Sequence, residues 1–179
     1  MDRTCMEAGW SILHKAVFLD RDGVINVQAA EHDYIKLWAE FTFLPGVPDA
    51  IRVLNQAGYL ILVVTNQRGV ARGMMSLADV DEIHRKMCQA LEDAGARIDR
   101  VYVCPHDIGQ CSCRKPDIGL FLQAEQDYDI DKTASWMVGD SKSDVEAGTR
   151  YGVRSILSNN LIEAANQIID VDKTFPQSL

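Results

Sequence analysis

No apolar run in the sequence approaches the roughly 20 residues a bilayer-spanning helix requires. The longest, "YLILVV" at 59–64, has the length of a buried strand. A basic surplus is also missing. Lys and Arg number 18 against 26 Asp and Glu, giving a net charge of −8, and no Lys/Arg cluster of the kind that phosphate backbones recruit is present. Neither nucleic acid nor a membrane is therefore an expected partner. The opening "MDRTCMEAGWSILH" has no basic stretch leading into an apolar one, so no secretory leader is expected and the cytosol is the expected compartment. P-loop and dinucleotide-binding glycine patterns are absent ("GVARG" is neither), as are low-complexity tracts and internal repeats. In a reducing compartment the five cysteines read as thiols or metal ligands before disulfides.

What is there is strand and helix in alternation. The 179 residues suffice for one domain with a substantial core. Five short apolar runs read as strands buried on both faces: "AVFL" before Asp20, "LILVVT" ending at Thr65, "VYVC" ending at Cys104, "SWMVGD" ending at Asp140, and "RSIL" ending at Leu157. Between them, Val47, Ala50, Ile51 and Leu54 share one helical face before Gly58. Ser76 can cap a second helix with a stripe of Val80, Ile83, Met87, Leu91 and Ala94, and further helices are expected after Pro116 and Ser141. This pattern predicts an α/β fold, a Rossmann-like parallel sheet with helices on both faces. The span from Asn26 to Pro45 has room for a flap but not for a large cap domain. Ligands of such sheets bind beyond the carboxyl ends of the strands, where Asp20, Thr65, Asp140 and a cysteine-rich loop should converge.

"DRDG" sets Asp20 at a strand end with Asp22 two residues on and Gly23 to turn the chain. Asp20 can attack phosphorus, and Asp22 can protonate the leaving alkoxide and then take a proton from water. Like charges this close should raise one pKa and keep Asp22 a usable acid. By itself the spacing is weak, since Asp and Gly are ordinary turn residues. It gains weight from "TNQ" at Thr65–Gln67, a cation at Lys115, and "GDSKSD" with Asp140 and Asp144, in that order. A phosphate dianion approaches two aspartates only with charge neutralisation. Mg²⁺ suits that role, with Asp20, Asp140 and the backbone carbonyl of Asp22 as expected ligands.

"CPHDIGQCSCRKP" at 104–116 gathers Cys104, His106, Cys111 and Cys113, a soft tetrahedral donor set suited to structural Zn²⁺. A Cys111–Cys113 disulfide is the competing reading, but it requires a strained small ring. Zinc there would fix Arg114 and Lys115 at the rim of the site.

This ordered set resembles the haloacid dehalogenase superfamily of phosphatases over roughly residues 15–157. The resemblance implies Asp20 as nucleophile, Asp22 as general acid/base, and Thr65 and Lys115 as stabilisers of the phosphoryl group. "DRDGVIN", "TNQRGVARG", "YIKLWAEFTFLPG" and the Cys/His loop ending in "CRKP" are similar, more narrowly, to the D-glycero-D-manno-heptose 1,7-bisphosphate phosphatases and their histidinol-phosphate phosphatase relatives. That likeness implies hydrolysis of a sugar 7-phosphate in nucleotide-activated heptose synthesis for lipopolysaccharide. It also implies substrate contacts from Asn66, Gln67, Arg68, Arg114 and part of the 28–34 segment. A histidinol-phosphate phosphatase and a non-catalytic zinc-stabilised binding protein are the competing readings. Residues 1–14 lie outside the resemblance and read as an extension, ordered or disordered, before a single domain at 15–179, expected to be a monomer. The isolated His14, His32 and His84 carry no assigned chemistry. His84, beside Ile83, is expected to be a packing or surface residue, and Cys88 a core or boundary one.

Overall fold

The computed structural model describes residues 13–31 and 33–174. Of the expected extension, residues 1–12 lie outside the described residues. His14 pairs with the main chain at residues 129–131, its N–H reaching the Asp129 carbonyl at 2.7 Å.

Five parallel strands form one sheet: β1 (Ala16–Leu19), β2 (Leu60–Asn66), β3 (Arg100–Cys104), β4 (Trp136–Gly139) and β5 (Arg154–Leu157), in the order β3-β2-β1-β4-β5. β3 and β5, expected to be buried on both faces, are sheet edges and only partly covered, whereas β1, β2 and β4 read as unbroken apolar runs because both faces are covered. Their two-residue period divides the core cleanly. Val17, Leu19, Ile61, Val63 and Val138 face the core closed by α1 (Val47–Gln56), α2 (Leu77–Asp93) and α5 (Leu161–Thr174). Ala16, Phe18, Leu62, Val64 and Met137 face the core closed by α3 (Gly119–Asp127) and α4 (Lys142–Tyr151). A one-residue slip of β1 would exchange Phe18 for Leu19 and disrupt both cores.

α2 begins where Ser76 caps it. The Ser76 hydroxyl accepts from the Asp79 N–H at 3.1 Å, and the Asp79 carboxylate accepts from the Ser76 N–H at 2.8 Å. Its buried stripe departs from the expected one. Ala94 caps the helix end and is exposed, and His84 joins Val80, Ile83, Met87 and Leu91 inside. α5 was not anticipated, although Leu161, Ala164, Ala165 and Ile168 recur at helical spacing and all are buried.

β1 lies between β2 and β4, so the chain departs in opposite directions from the centre of the sheet. The crevice at this switch point is where the fold binds ligands. No cap domain interrupts the described residues; β1 leads to α1 through a loop with one 3₁₀ turn at Trp38–Glu40. There Trp38 stacks on Phe41 at 5.0 Å between ring centroids, which makes it a packing residue of that loop.

Candidate active site and cysteine loop

Asp20 follows the last residue of β1, and its N–H is held by the Val138 carbonyl of β4 at 3.0 Å. Lys115 Nζ lies 2.8 Å from Asp20 Oδ1 and 2.6 Å from Asp144 Oδ1. Lys115 is buried. Burial pulls its pKa down, but the two carboxylates outweigh this and hold it above its ordinary value. Burial pushes Asp20 up to about 6, opposed by Lys115 and reinforced by Asp144. Asp140 is also raised, by burial first and then by the Asp144 charge.

Asp144 makes two sets of contacts. One oxygen pairs with Lys115, and the other accepts from the Ser141 N–H at 3.1 Å and the Ser141 hydroxyl at 2.6 Å, capping α4. Two glycines let these carboxylates close in. A Cβ on Gly23, at φ +84°, would lie 2.1 Å from Asp140 Oδ2, and one on Gly139 would lie 2.1 Å from Asp144 Cβ.

Asp22 is held by three side chains. Arg21 Nη2 donates to both its oxygens at 2.9 Å, Asn26 Nδ2 to Oδ1 at 3.0 Å, and Gln67 Nε2 to Oδ2 at 2.9 Å. Burial alone would raise its pKa, but the Arg21 charge and these hydrogen bonds together hold it below the ordinary carboxylate value. The sequence-based expectation for this residue is thus reversed. It is Asp20 that rises, through its burial, while Arg21, for which no role was expected, compensates the charge at Asp22.

The expected substrate residues divide. Gln67 Nε2 also donates to Thr65 Oγ1 at 2.9 Å, so its amide braces the two catalytic candidates against each other. Asn66 clamps the Lys115 main chain from both sides, accepting from its N–H at 3.0 Å and donating to its carbonyl at 3.1 Å. Arg68 pairs with Asp107 of the cysteine loop. Arg114 keeps its Nη1 buried with no hydrogen-bond partner among the described residues. Gln28, Tyr34 and Asn66 line a cleft of about 260 Å³ that opens on Asp22.

Ligand atoms of Asp20, Asp140 and Asp144 all lie within 4.8 Å of one another. With Asp22, four carboxylates here face two cations, Arg21 and Lys115. The excess negative charge and the all-oxygen donor set fit a hard divalent cation such as Mg²⁺. The sulfurs of Cys104 and Cys111 are 3.5 Å apart and those of Cys111 and Cys113 3.2 Å, with His106 Nδ1 3.4 Å from Cys113 Sγ. Disulfide sulfurs would be about 2.05 Å apart. All three thiols are free, and four donors at these separations fit the edges of a small tetrahedron around a single ion.

A parallel sheet carrying an Asp-x-Asp at the end of its central strand, with Thr, Lys and Asp brought to it from three other segments, defines a phosphatase of the haloacid dehalogenase type. The family model for polynucleotide kinase 3 phosphatase matches residues 15–177. The D-glycero-β-D-manno-heptose-1,7-bisphosphate 7-phosphatase of Rhodopseudomonas palustris is 44% identical over 146 residues, covering 77% of this chain and 79% of the relative. The enzyme of that name from Escherichia coli is 37% identical over 180 residues, covering 92% and 93%. Among solved structures, a D,D-heptose 1,7-bisphosphate phosphatase from B. bronchiseptica, complexed with magnesium and phosphate, superposes with a TM-score of 0.76 at 31% identity, covering 88% of this chain and 99% of that one. The chain belongs to the polynucleotide kinase 3 phosphatase family and, within it, to the group of the D-glycero-β-D-manno-heptose-1,7-bisphosphate 7-phosphatases.

Proposed function

We propose that this chain removes the 7-phosphate of D-glycero-β-D-manno-heptose 1,7-bisphosphate through an aspartyl-phosphate on Asp20. The observation that carries the reading is the buried Asp20–Lys115–Asp144 chain beside a fixed Asp22, in a protein whose relatives bear that enzyme's name.

An Asp20 oxygen attacks the 7-phosphorus, and the bond from phosphorus to the sugar oxygen breaks. Asp22 gives that oxygen a proton and later takes one from the water that releases inorganic phosphate. Asp22 is held as a carboxylate in the free protein; an incoming phosphate dianion raises its proton affinity by like-charge repulsion. Lys115 and the Thr65 hydroxyl stabilise the transferring phosphoryl oxygens. Asp20, Asp140 and the Asp22 carbonyl would hold Mg²⁺, which when bound neutralises phosphate charge. Cys104, His106, Cys111 and Cys113 would hold a structural zinc.

Arg114 is the candidate for the distal phosphate, because its buried Nη1 has no hydrogen-bond partner among the described residues and guanidinium suits phosphate. Asn66 and Gln67 support the site through Lys115 and Asp22, and Arg68 through the cysteine loop. The reading places the chain in the cytosol, as a monomer supplying heptose for lipopolysaccharide. Asp20→Asn should lower turnover of the bisphosphate by roughly 10³-fold or more with the fold intact; full turnover in that variant would remove Asp20 as nucleophile.

A further inference from the structure

Arg21 is wholly buried, so water satisfies none of its N–H groups. Its Nη2 holds both Asp22 oxygens at 2.9 Å, and its Nη1 meets His84 Nε2 at 3.1 Å. A guanidinium does not give up its proton, so His84 Nε2 must be the acceptor and the imidazole must be neutral, with its proton on Nδ1. A charged imidazole there would put two cations 3.1 Å apart in a dry site.

We propose that His84 is a positioning residue for Asp22, acting through Arg21: it anchors the far side of the guanidinium that fixes the Asp22 carboxylate. Arg21 and Asp22 are neighbours in a turn and hold each other through three hydrogen bonds, so the pair needs an anchor from outside the turn to fix its heading. His84 supplies the second anchor from α2, a 17-residue helix with a side-chain cap at its start and a buried stripe against the core. Removing the acceptor leaves Nη1 a buried donor without a partner. Arg21 must then turn or admit water, and Asp22 loses the donor that touches both its oxygens. Asn26 and Gln67 still hold one oxygen each, so the carboxylate loses its orientation rather than its place.

The inference rests on Asp22 being the general acid, and the test separates the two. kcat/KM is compared between heptose 1,7-bisphosphate, whose alkoxide leaving group needs a proton, and p-nitrophenyl phosphate, whose leaving group does not. His84→Leu removes the acceptor and keeps the bulk; His84→Gln keeps an acceptor oxygen. We expect His84→Leu to lose about 10- to 100-fold on the bisphosphate, a part of what general acid catalysis supplies, and less than about threefold on the aryl ester. His84→Gln should recover most of the loss. Equal losses on both esters, or none on the bisphosphate, would overturn the proposal. If His84→Leu does not fold, Arg21→Lys, which keeps the charge but not the fork, must show the same selectivity for the alkyl ester. Asp22→Asn is the control. If it spares the bisphosphate or harms both esters alike, the general-acid reading has failed; if it is selective and His84→Leu is not, only the role of His84 has.

Discussion

Acid should destabilise this protein through His84 before it protonates most surface carboxylates. Burial, and then the Arg21 charge, push the His84 pKa from 6.5 down to about 3. As pH falls below 6.5 the unfolded chain takes up a proton that the folded one refuses. The stabilisation present above pH 6.5 is therefore lost steadily towards pH 3 and not below it. At about pH 4.5 the unfolded state has been favoured over some two pH units, which at 1.36 kcal/mol per unit comes to about 2–3 kcal/mol. His84 is 6% exposed, so little of this is screened by solvent. Asp20, raised to about 6, works in the opposite direction, because the folded state binds its proton first as pH falls. Comparing the protein with His84→Gln cancels that contribution. Urea unfolding of the metal-free proteins at pH 7 and at about pH 4.5 gives four stabilities. The loss on acidification should be smaller in the Gln variant by about 2 kcal/mol. Equal losses would refute the neutral, buried histidine.

Lys115→Met leaves Asp20 and Asp144 buried without their shared cation, and should cost about 3–5 kcal/mol at pH 7 in metal-free protein, with turnover lost as well. The penalty should shrink as pH falls towards 6, because Asp20 without its cation takes up a proton before the native Asp20, raised to about 6, does; a variant of unchanged stability would contradict the buried triad. Freshly purified, unchelated protein should carry about one zinc per chain, and Cys113→Ser should lower both zinc content and melting temperature. A zinc content near zero would remove the metal from the cysteine loop.

Much of the fold was legible because its three central strands are covered on both faces and the intervening helices carry clear stripes and caps. Asp20, Thr65, Lys115 and Asp140 could be named from their places at or beyond strand ends, which parallel topology brings together. The four zinc candidates could be named because they are close in sequence. α5 was passed over although Leu161, Ala164, Ala165 and Ile168 have regular spacing. The contact between Arg21 and His84 was not legible for a different reason. Neither residue type signals burial, and their contact spans 63 residues and depends on how α2 lies against the loop after β1. The ionisation of Asp22 was misjudged for the same cause: the count of nearby acids was visible in the sequence, but the heading of the Arg21 side chain was not.

The most direct test of the central claim is phosphate release with Mg²⁺ present, comparing kcat/KM for heptose 1,7-bisphosphate and histidinol phosphate. The account predicts a preference for the bisphosphate of at least about 100-fold, because a site whose Arg114 keeps a buried, unpartnered Nη1 discriminates strongly against a substrate with no second phosphate to pair with it. A preference for histidinol phosphate would contradict the substrate assignment while leaving the aspartate chemistry in place.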